Sequence, residues 1–397
     1  MRTTPHLSED PRQLLPREAY VSQDWFDREQ ATLFADSWTY AGSVKDWSRD
    51  GAYVTLTAGP YRLVVVRQRG GTLTAYHNIC RHRGTELLEG HGVLKGTIVC
   101  PYHRWTYGLD GSLRGVPNEG ECFPGLDRAA LGLKPASIGI FKGLVFVHPQ
   151  PDADFTAWLD GVPDMAWPYD LGDGTLEAGD EIIYDMACNW KVFFENAVDG
   201  YHLAYLHENT LGPVFPDANH WATAGQHLVW YSTERGGFRD PLPMMVEDYL
   251  KAEGVAEADG GRSTVYGGVY MLFPTIIVTP SPYGMAVSHL VPVAADRTLL
   301  KARNWAPKGS SGRYQRAEDV PGYDPATGTV RSALWQVHPL ESHDFQSEDV
   351  WVCEKMQRAL ASPAHEVGPL ARGAGAEAPL MFFQEHVLAA MGRAQPA

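Results

Sequence analysis

The spacing of apolar positions changes along the chain, and these changes predict its elements. Residues 22–38, SQDWFDREQATLFADSW, carry apolar side chains at a loosely helical spacing, which predicts a helix with Ser22 as its N-cap. From residue 38 to residue 150, short alternating or β-branched runs such as YVTLTAG and GLVFVHP are separated by glycine-containing turns. This second pattern predicts a small antiparallel β domain.

The second half of the chain mixes helical and strand patterns. Residues 189–207, NWKVFFENAVDGYHLAYLH, predict one helix, and residues 347–361 and 378–392 predict two more. Residues 262–280 and 284–305 predict strands that are joined by the turn SPYG. Strands flanked by long helices indicate an α+β fold in which a curved antiparallel sheet packs against helices.

A segment rich in proline and aspartate, PQPDADF at residues 149–155, separates the two patterns. We expect an N-terminal arm and helix over residues 1–37 that pack with the C-terminal domain. We expect the β domain over residues 38–150 and the α+β domain over residues 151–397. A chain of 397 residues is long enough to bury the cores of two such domains.

The chain is acidic, with a net charge of −15. This balance argues against a nucleic-acid partner and against binding to an anionic membrane surface. The N-terminal segment lacks the apolar core of a secretory signal, and the apolar run VYMLFPTIIV is too short to span a bilayer. We therefore expect a cytoplasmic protein.

Two of the five cysteines lie in mixed pairs with histidine. Cys80 and His82 form a Cys-x-His pair after one predicted strand, and a second loop carries Cys100 and His103 as Cys-x-x-His. Two thiolates and two imidazoles suit either a tetrahedral zinc site or a [2Fe-2S] cluster of the Rieske type. The other cysteines are expected to be small buried residues: Cys122, Cys188 and Cys353.

A second set of potential ligands lies in the first predicted helix of the C-terminal domain. Asp199 and His202 are three residues apart and share a face of an ideal helix, whereas His202 and His207 are five apart. Both histidines reach one metal only if the helix ends or bulges between them. Two imidazoles and one carboxylate form the facial triad of non-haem Fe(II) oxygenases, and Asp344 or Asp349 offers the carboxylate.

The segments CRHRG, CPYHRWTY and NWKVFFENAVDGYHLAYLH resemble the signatures of the Rieske non-haem iron oxygenases. The resemblance is to the terminal oxygenase (α) subunit of the aromatic-ring-hydroxylating family. It implies a Rieske [2Fe-2S] cluster, a mononuclear Fe(II) and O2 as co-substrate. The motifs match at the cluster ligands and at two iron ligands: Cys80, His82, Cys100 and His103, then His202 and His207.

The remaining site residues follow from the same resemblance. Asp199 matches the family's bridging aspartate, which connects an iron-ligand histidine to a cluster-ligand histidine of a neighbouring subunit. The family pattern of Glu-Asp with a later Glu and Gln is matched by Glu348, Asp349, Glu354 and Gln357. We therefore expect Asp349 as the third iron ligand, with Asp344 as the alternative. The family uses no third histidine, so surface or hydrogen-bonding roles are expected for His338 and His343.

Electrons are expected to come from a separate protein. No G-x-G-x-x-G motif follows a predicted strand and opens a helix, so NAD(P)H can serve only through a ferredoxin or a flavin reductase. Arg81, Arg83 and Arg104 surround the cluster ligands and either dock an acidic donor or form internal ion pairs. The family commonly has a small residue in place of Arg104. Family architecture further implies a homotrimer in which the productive cluster and iron lie in neighbouring subunits.

The sequence says less about the substrate. The predicted strands are expected to line its pocket with Tyr266, Tyr270, Phe273, Ile277, Val287 and His289, of which alternation lets only some face inward. This lining favours mono- or dihydroxylation of a small aromatic compound. The alternative is oxidative N-demethylation of a quaternary ammonium or methylamine compound, whose cation would contact aromatic faces. A Zn-stabilised binding protein without redox activity is a hypothesis of another class.

Overall fold

The computed structural model describes residues 7–165, 167, 169–210, 219–232, 269–281, 284–309, 316–342, 344–372 and 377–392. The chain divides into two compact units. The small unit contains Arg28–Trp158 and Asp170–Gly174, and the large unit contains the chain up to Asp27 together with Leu159–Tyr169 and Thr175–Gly392. The expected division at residues 37/38 and 150/151 stays a prediction.

The small unit is built from ten antiparallel strands. They are β1 (Thr39–Ser43), β2 (Ala52–Ala58), β3 (Tyr61–Arg67), β4 (Leu73–His77), β5 (His91–Val93), β6 (Thr97–Val99), β7 (Thr106–Gly108), β8 (Leu113–Gly115), β9 (Pro135–Phe141) and β10 (Leu144–His148). Seven of them pair in the order β1-β10-β9-β4-β3-β2-β5, and the other three pair as β6-β7-β8. The small antiparallel β domain expected from the alternating runs is thereby confirmed.

Strand β3 explains how this unit holds two cores. Its consecutive residues Leu63–Val66 are fully buried, because successive side chains of a strand point to opposite faces of the sheet. Leu63 and Val65 pack with Trp47 in one core. Val64 and Val66 pack in the other core, which also contains Cys80, Cys100, Trp105 and Tyr107. The second core therefore supports the loops that carry the Cys-His pairs.

The large unit contains one mixed sheet of nine strands within the described chain. The strands are β11 (Leu176–Met186), β12 (Asn219–Ala224), β13 (His227–Ser232), β14 (Val269–Leu272), β15 (Ile276–Ser281), β16 (Gly284–Ala294), β17 (Arg297–Pro307), β18 (Tyr323–Asp324) and β19 (Thr329–Val330). They pair in the order β12-β13-β14-β15-β16-β17-β11-β19-β18. The pairing is antiparallel throughout except between β11 and β19.

Helices accompany both units. They are α1 (Glu18–Val21), α2 (Gln23–Ala31), α3 (Glu119–Cys122), α4 (Phe155–Trp158), α5 (Trp190–Val198), α6 (Leu203–Leu206), α7 (Phe345–Leu360) and α8 (Ala378–Met391). Phe383 of α8 stacks on Phe194 of α5 at 4.4 Å and meets Trp190 edge to face at 5.6 Å. Among the helices of the described chain, none combines the length and apolar composition that a bilayer-spanning segment requires.

The predicted single helix over residues 189–207 is wrong, because the chain forms α5 and α6 with a break between them. Asp199 ends α5 in an extended conformation, with ψ at 111°. Its carboxylate accepts a hydrogen bond from the backbone N–H of Tyr201 at 2.6 Å. Such a local side-chain bond competes with the helical backbone pattern and stops the helix.

The two strands predicted over residues 262–280 and 284–305 are also corrected. The described residues form four shorter strands, β14 to β17, because turns at Phe273–Thr275 and at residues 295–296 interrupt them. Residues 262–268, which include Tyr266, lie outside the described part of the chain, as does His343. Cys188 and Cys353 are buried as expected, whereas Cys122 is exposed, so its expected burial is wrong.

The helices expected near the C-terminus are confirmed as α7 and α8. At the N-terminus, the Ser22 hydroxyl accepts a hydrogen bond from the N–H of Trp25 at 3.3 Å, as an N-cap does. The helix that follows is shorter than predicted, since α2 ends at Ala31 and a 3₁₀ turn at Phe34–Asp36 comes next.

Two candidate metal centres

The first candidate centre lies in two loops of the small unit that have the same backbone hydrogen bond. In each loop the N–H of a later residue donates back to the cysteine carbonyl: Gly84 to Cys80 at 3.0 Å and Arg104 to Cys100 at 3.1 Å. Both returning residues have positive φ, +77° for Gly84 and +60° for Arg104. The two loops therefore present one cysteine and one histidine each in matching turns.

The thiols of these loops are buried next to a tyrosine hydroxyl. Cys80 and Cys100 are 3% and 1% exposed. The Tyr107 hydroxyl lies 3.3 Å from the Cys80 sulfur and accepts the N–H of Arg81 at 2.9 Å. Burial raises the pKa of the Cys80 thiol, and neighbouring Cys100 adds to the rise. Since burial opposes ionisation of the Cys80 thiol, a bound cation would stabilise its thiolate form.

The imidazoles lie against each other and against aromatic rings. The rings of His82 and His103 are 4.7 Å apart, and His82 stacks on Trp105 at 4.8 Å. Burial and the nearby His103 lower the pKa of His82, which favours the neutral form that binds metals. Its Nδ1 atom is buried without a hydrogen-bond partner among the described residues. An orphaned nitrogen beside two buried thiols fits the ligand set of an iron–sulfur cluster.

The second candidate centre lies in the large unit and combines His202, His207 and Asp349. One ligand atom from each residue lies within 4.8 Å of the other two. The Nε2 atoms of His202 and His207 are 3.7 Å and 3.0 Å from Asp349 Oδ1. His202 immediately precedes the single turn of α6 and His207 immediately follows it. The break at Asp199 precedes both histidines, which lie at the two ends of α6, and the chain leaves the helical conformation at His207, where ψ is 23°.

Of the two candidate carboxylates, Asp349 contacts the two histidines, whereas Asp344 forms hydrogen bonds at the start of α7. Asp344 is the N-cap of α7, where its carboxylate accepts the N–H of Gln346 at 3.2 Å and the hydroxyl of Ser347 at 2.6 Å. Both Asp344 oxygens are therefore used to start the helix. Asp349 lies one turn further along the same helix.

Carboxylates contact the far side of both imidazoles. His202 Nδ1 is 3.2 Å from Asp199 Oδ2, and His207 Nδ1 is 2.6 Å from Glu348 Oε2. Burial lowers the pKa of His207, but Asp349 and Glu348 raise it more, and the net direction is upward. The sequence did not predict that Glu348 contacts His207, although its position next to Asp349 suggests that it lies near the expected iron ligands.

A further side chain contacts the candidate centre. The Asn196 amide donates to Asp349 Oδ1 at 2.9 Å. Asn196 lies in the same sequence motif as the two histidines, but the sequence assigns it no role. Its contact depends on the packing of α5 against α7, which the motif alone does not specify.

The expected pocket residues divide between two faces of the sheet. The register aligns Tyr270, Val278 and Val287 on one face, whereas Ile277 pairs with Ser288 on the other. Tyr270 meets the ring of Trp167 at 5.0 Å. The alternation expected for these strands is confirmed.

Phe273 and two histidines outside the proposed ligand sets, His77 and His338, have contacts of their own, and a third such histidine, His91, lies at the surface. The Phe273 ring lies 6.1 Å from Phe383 of α8. His77 Nε2 contacts the Pro149 carbonyl at 3.0 Å, and His338 Nδ1 accepts the N–H of Leu340 at 3.3 Å. His91 is exposed on β5.

Family models match both units. Residues 37–130 match the Rieske [2Fe-2S] domain, and residues 174–393 match the catalytic domain of the ring hydroxylating alpha subunit. The chain therefore belongs to the Rieske-type terminal oxygenases, as the motifs led us to expect. It is an oxidoreductase that uses a [2Fe-2S] cluster, a mononuclear non-haem iron and O2, and it requires an electron-transfer partner.

Curated relatives include several oxygenase subunits. The carnitine monooxygenase oxygenase subunit of Escherichia coli K12 is 30% identical over 296 residues, 72% of each chain. The glycine betaine monooxygenase oxygenase subunit of Chromohalobacter salexigens is 37% identical over 202 residues, which span 50% of this chain but only 44% of that relative. The anthranilate 1,2-dioxygenase large subunit of Acinetobacter baylyi is 29% identical over 306 residues, 74% of this chain and 59% of that one.

Solved structures share the fold over nearly the whole length. The apo form of the quaternary ammonium Rieske monooxygenase CntA gives a TM-score of 0.70 at 22% identity and covers 96% of both chains. Naphthalene 1,2-dioxygenase with indole gives 0.71 at 20% identity, covering 95% of this chain and 92% of that one. The expected fold class, a small Rieske domain beside a catalytic domain with a curved sheet and helices, is confirmed.

Proposed function

We propose that His202, His207 and Asp349 hold the mononuclear iron of this oxygenase. The proposal is carried by the convergence of their ligand atoms within 4.8 Å. Two imidazoles and one carboxylate leave open positions on the metal for O2 beside the substrate. The polypeptide holds and orients these ligands through α6, α7 and the carboxylates behind the imidazoles.

We propose that Cys80, His82, Cys100 and His103 hold the Rieske cluster. The burial of both thiols and the orphaned Nδ1 of His82 support this ligand set. When bound, the cluster supplies single electrons and the iron activates O2.

We propose a quaternary ammonium compound as the substrate. Support comes from the carnitine relative, which matches 72% of each chain, and from the glycine betaine relatives. The net charge of −15 adds support, because an acidic protein attracts cationic small molecules and repels aromatic acids. The comparisons thus favour the alternative that the sequence left open.

The proposed reaction uses O2 and two electrons from the electron-transfer partner. One oxygen atom enters an N-methyl group and the other leaves as water, with two electrons and two protons consumed. The C–N bond to the hydroxymethyl group then breaks with its electron pair left on nitrogen, the hydroxyl proton is released, and formaldehyde and a tertiary amine are formed. Hydroxylation of an aromatic ring remains the second candidate, supported by the anthranilate relative that matches 74% of this chain.

A substrate screen tests the proposed substrate class. The protein, supplied with a surrogate reductase, is offered betaines, other trimethylammonium compounds and aromatic acids, and the products are read by mass. We expect demethylated product and an equal amount of formaldehyde from a quaternary ammonium compound. The His207→Ala variant is the control and forms no product. Ring-hydroxylated products alone would contradict the proposed class.

We also propose a ferredoxin or flavin reductase as donor, docking at the basic collar formed by Arg81, Arg83 and Arg104. Arg83 and Arg104 are exposed, and no residue of the collar forms an ion pair with the part of the chain that is described. Arg83 instead contacts the Tyr102 hydroxyl at 3.1 Å. Unpaired surface cations are available to steer an acidic partner.

We propose a homotrimer in which Asp199 links each iron to the cluster of a neighbouring subunit. The resemblance of the DGYH motif supports this role. The 3.2 Å contact between Asp199 and His202 supports it too, since the carboxylate holds the far nitrogen of a proposed iron ligand. Small-molecule turnover in this protein then depends on assembly as well as on both metals.

A further inference from the structure

We propose that Glu348 is a positioning residue that fixes the tautomer and the orientation of His207 and thereby sets the affinity of the chain for iron. The inference deepens the proposed function and rests on the assignment of His207 and Asp349 as iron ligands. It assigns a role to a buried carboxylate that the ligand set itself does not use.

Glu348 and Asp349 contact opposite nitrogens of the His207 ring. Glu348 Oε2 contacts Nδ1 of His207 at 2.6 Å, and Asp349 Oδ1 lies 3.0 Å from Nε2 of the same imidazole. The two nitrogens point to opposite sides of the ring. Glu348 therefore lies behind the imidazole, while Asp349 lies on the side that faces the metal position.

Counting donors and acceptors fixes the proton on the ring. A carboxylate can only accept, and Glu348 Oε2 accepts from both the His207 Nδ1–H and the Thr210 hydroxyl, the latter at 2.7 Å. The proton of neutral His207 then resides on Nδ1, and Nε2 presents a lone pair toward Asp349. A lone pair facing a carboxylate is stabilised by a cation between them, which is the condition for iron binding.

Burial makes this contact hard to replace with water. The side chains of His207 and Glu348 are each 1% exposed. A short hydrogen bond between an imidazole and an ionised carboxylate is among the stronger kinds in proteins. Glu348 also lies in the first turn of α7, where the helix dipole favours a negative charge. Without Glu348, the buried Nδ1–H of His207 would lose its acceptor, and the half-buried hydroxyl of Thr210 would keep only the longer contact to the His207 carbonyl at 3.5 Å.

Two neighbouring residues of α7 hold the His207 ring from both sides. Glu348 and Asp349 follow each other on α7, so one helical segment contacts His207 on both ring nitrogens. A shift of α7 would move both contacts together. The helix thus supplies one ligand and orients another, which ties the geometry of the site to one rigid element.

The second histidine has a weaker version of the same arrangement. Asp199 lies 3.2 Å from His202, and these side chains are 15% and 17% exposed. Water can reach this pair, and its carboxylate has the proposed relay role. In these proposals Glu348 holds one iron ligand in place, whereas Asp199 links the other iron ligand by hydrogen bonding to the electron path from the neighbouring subunit.

Chelator competition in the purified chain measures the Fe(II) affinity on which the inference depends. Glu348→Gln keeps an acceptor of the same shape but removes its charge, and Glu348→Leu removes both. We expect iron affinity to fall by about 10–100-fold, least for the Gln variant, as for other partners of metal-bound histidines. The EPR signal of the iron–nitric oxide complex should also change, because the orientation of His207 shapes the electronic symmetry of the iron.

Helix α7 offers a matched control. Glu354 is also a buried glutamate, 6% exposed, but it accepts from the Ala187 N–H at 3.0 Å and the Ser332 hydroxyl at 2.6 Å. Glu354→Gln should lower stability while leaving iron affinity and the nitric oxide signal unchanged. Far-UV circular dichroism reports whether each variant is folded, because the cluster spectrum reports only on the small unit whereas α7 lies in the large unit.

The outcomes separate the inference from the proposed function. If Glu348→Gln binds iron as tightly as the parent chain and gives the same nitric oxide signal, Glu348 is not a positioning residue. Equal losses in the Glu354 and Glu348 variants would also overturn the inference, because they would show a general effect of disturbing α7. If His207→Ala retains full iron binding, the assignment of the iron ligands itself fails.

Discussion

Two backbone positions shape the cluster loops, and only one of them is a glycine. Gly84 and Arg104 occupy equivalent places and have φ of +77° and +60°. Glycine adopts this left-handed conformation freely, whereas a residue with a Cβ atom costs about 1–2 kcal/mol there. Arg104 therefore stores backbone strain that Gly84 avoids.

We expect Arg104→Gly to be more stable than Arg104→Ala by about 1 kcal/mol, because both remove the charge but only glycine relieves the strain. Denaturant unfolding followed by the cluster absorbance measures the difference. Since Arg104 belongs to the basic collar, both variants should also slow cluster reduction by an acidic donor to the same extent. Equal stability of the two variants would show that the left-handed turn carries no strain.

The ligand residues could be predicted because their spacing is local. Cys80 and His82 are two residues apart, and one motif contains His202 and His207. The contact between His207 and Glu348 joins residues that are 141 positions apart. No local pattern encodes a hydrogen bond of that kind, and only the packing of α7 against the segment after α5 reveals it.

At the scale of elements, amphipathic segments were predicted well and breaks within them were not. Helices α7 and α8 follow their apolar spacing. The break after α5 depends on one carboxylate, Asp199, which bonds the backbone of Tyr201 instead of leaving it to the helix. That break separates α5 from α6, the single turn that has His202 and His207 at its two ends, so the misjudged segment directly precedes the site.

Helix α5 also contains a buried acid. Glu195 Oε1 accepts the Tyr20 hydroxyl at 2.7 Å and the Gln384 amide at 2.9 Å. The Gln384 carbonyl in turn accepts the N–H groups of Leu14 and Leu15. This cluster links α5 to the N-terminal segment and to α8 within the large unit. Burial raises the pKa of Glu195 to about 7, although its hydrogen bonds and Lys191 oppose the rise.

We expect this group to make the stability of the large unit depend on pH. Because its folded pKa exceeds the unfolded value of 4.5, its contribution is complete below that value and is lost as the pH rises through about 7. Glu195→Gln keeps the shape and cannot ionise, so it should be more stable than the parent chain near pH 8 by about 2 kcal/mol.

Denaturant unfolding at about pH 5 and about pH 8 tests the expectation for Glu195. At the lower pH the advantage of Glu195→Gln should largely disappear, because Glu195 of the parent chain is then protonated. An advantage that is the same at both pH values would mean that Glu195 does not titrate in this range.

At the scale of the whole molecule, each compact unit carries one proposed centre. The small unit contains the four cluster ligands, and the large unit contains the iron ligands and Asp199. The order of motifs along the chain predicted this separation, since the two ligand sets lie on opposite sides of the PQPDADF segment. Electrons must therefore pass from a cluster held by one unit to an iron held by another unit.

Mixed assemblies test whether electrons pass between subunits. One chain carries Cys100→Ser and lacks the cluster, and the other carries His202→Ala with His207→Ala and lacks the iron. Each alone should be inactive. Differently tagged and purified together, they should recover turnover, because a cyclic trimer places an intact cluster beside an intact iron in neighbouring chains.

Substitution of Asp199 in one chain at a time tests its proposed role in electron transfer between subunits. Asp199→Ala in the chain that keeps its iron should abolish the recovered turnover while both metals stay bound, since the carboxylate contacts His202 of that chain. The same substitution in the chain without iron should have no effect on turnover in the mixed assemblies. Mixed assemblies that contain both metals and remain inactive would show that transfer occurs within one chain. Recovery that persists after Asp199→Ala beside the intact iron would remove Asp199 from the electron path.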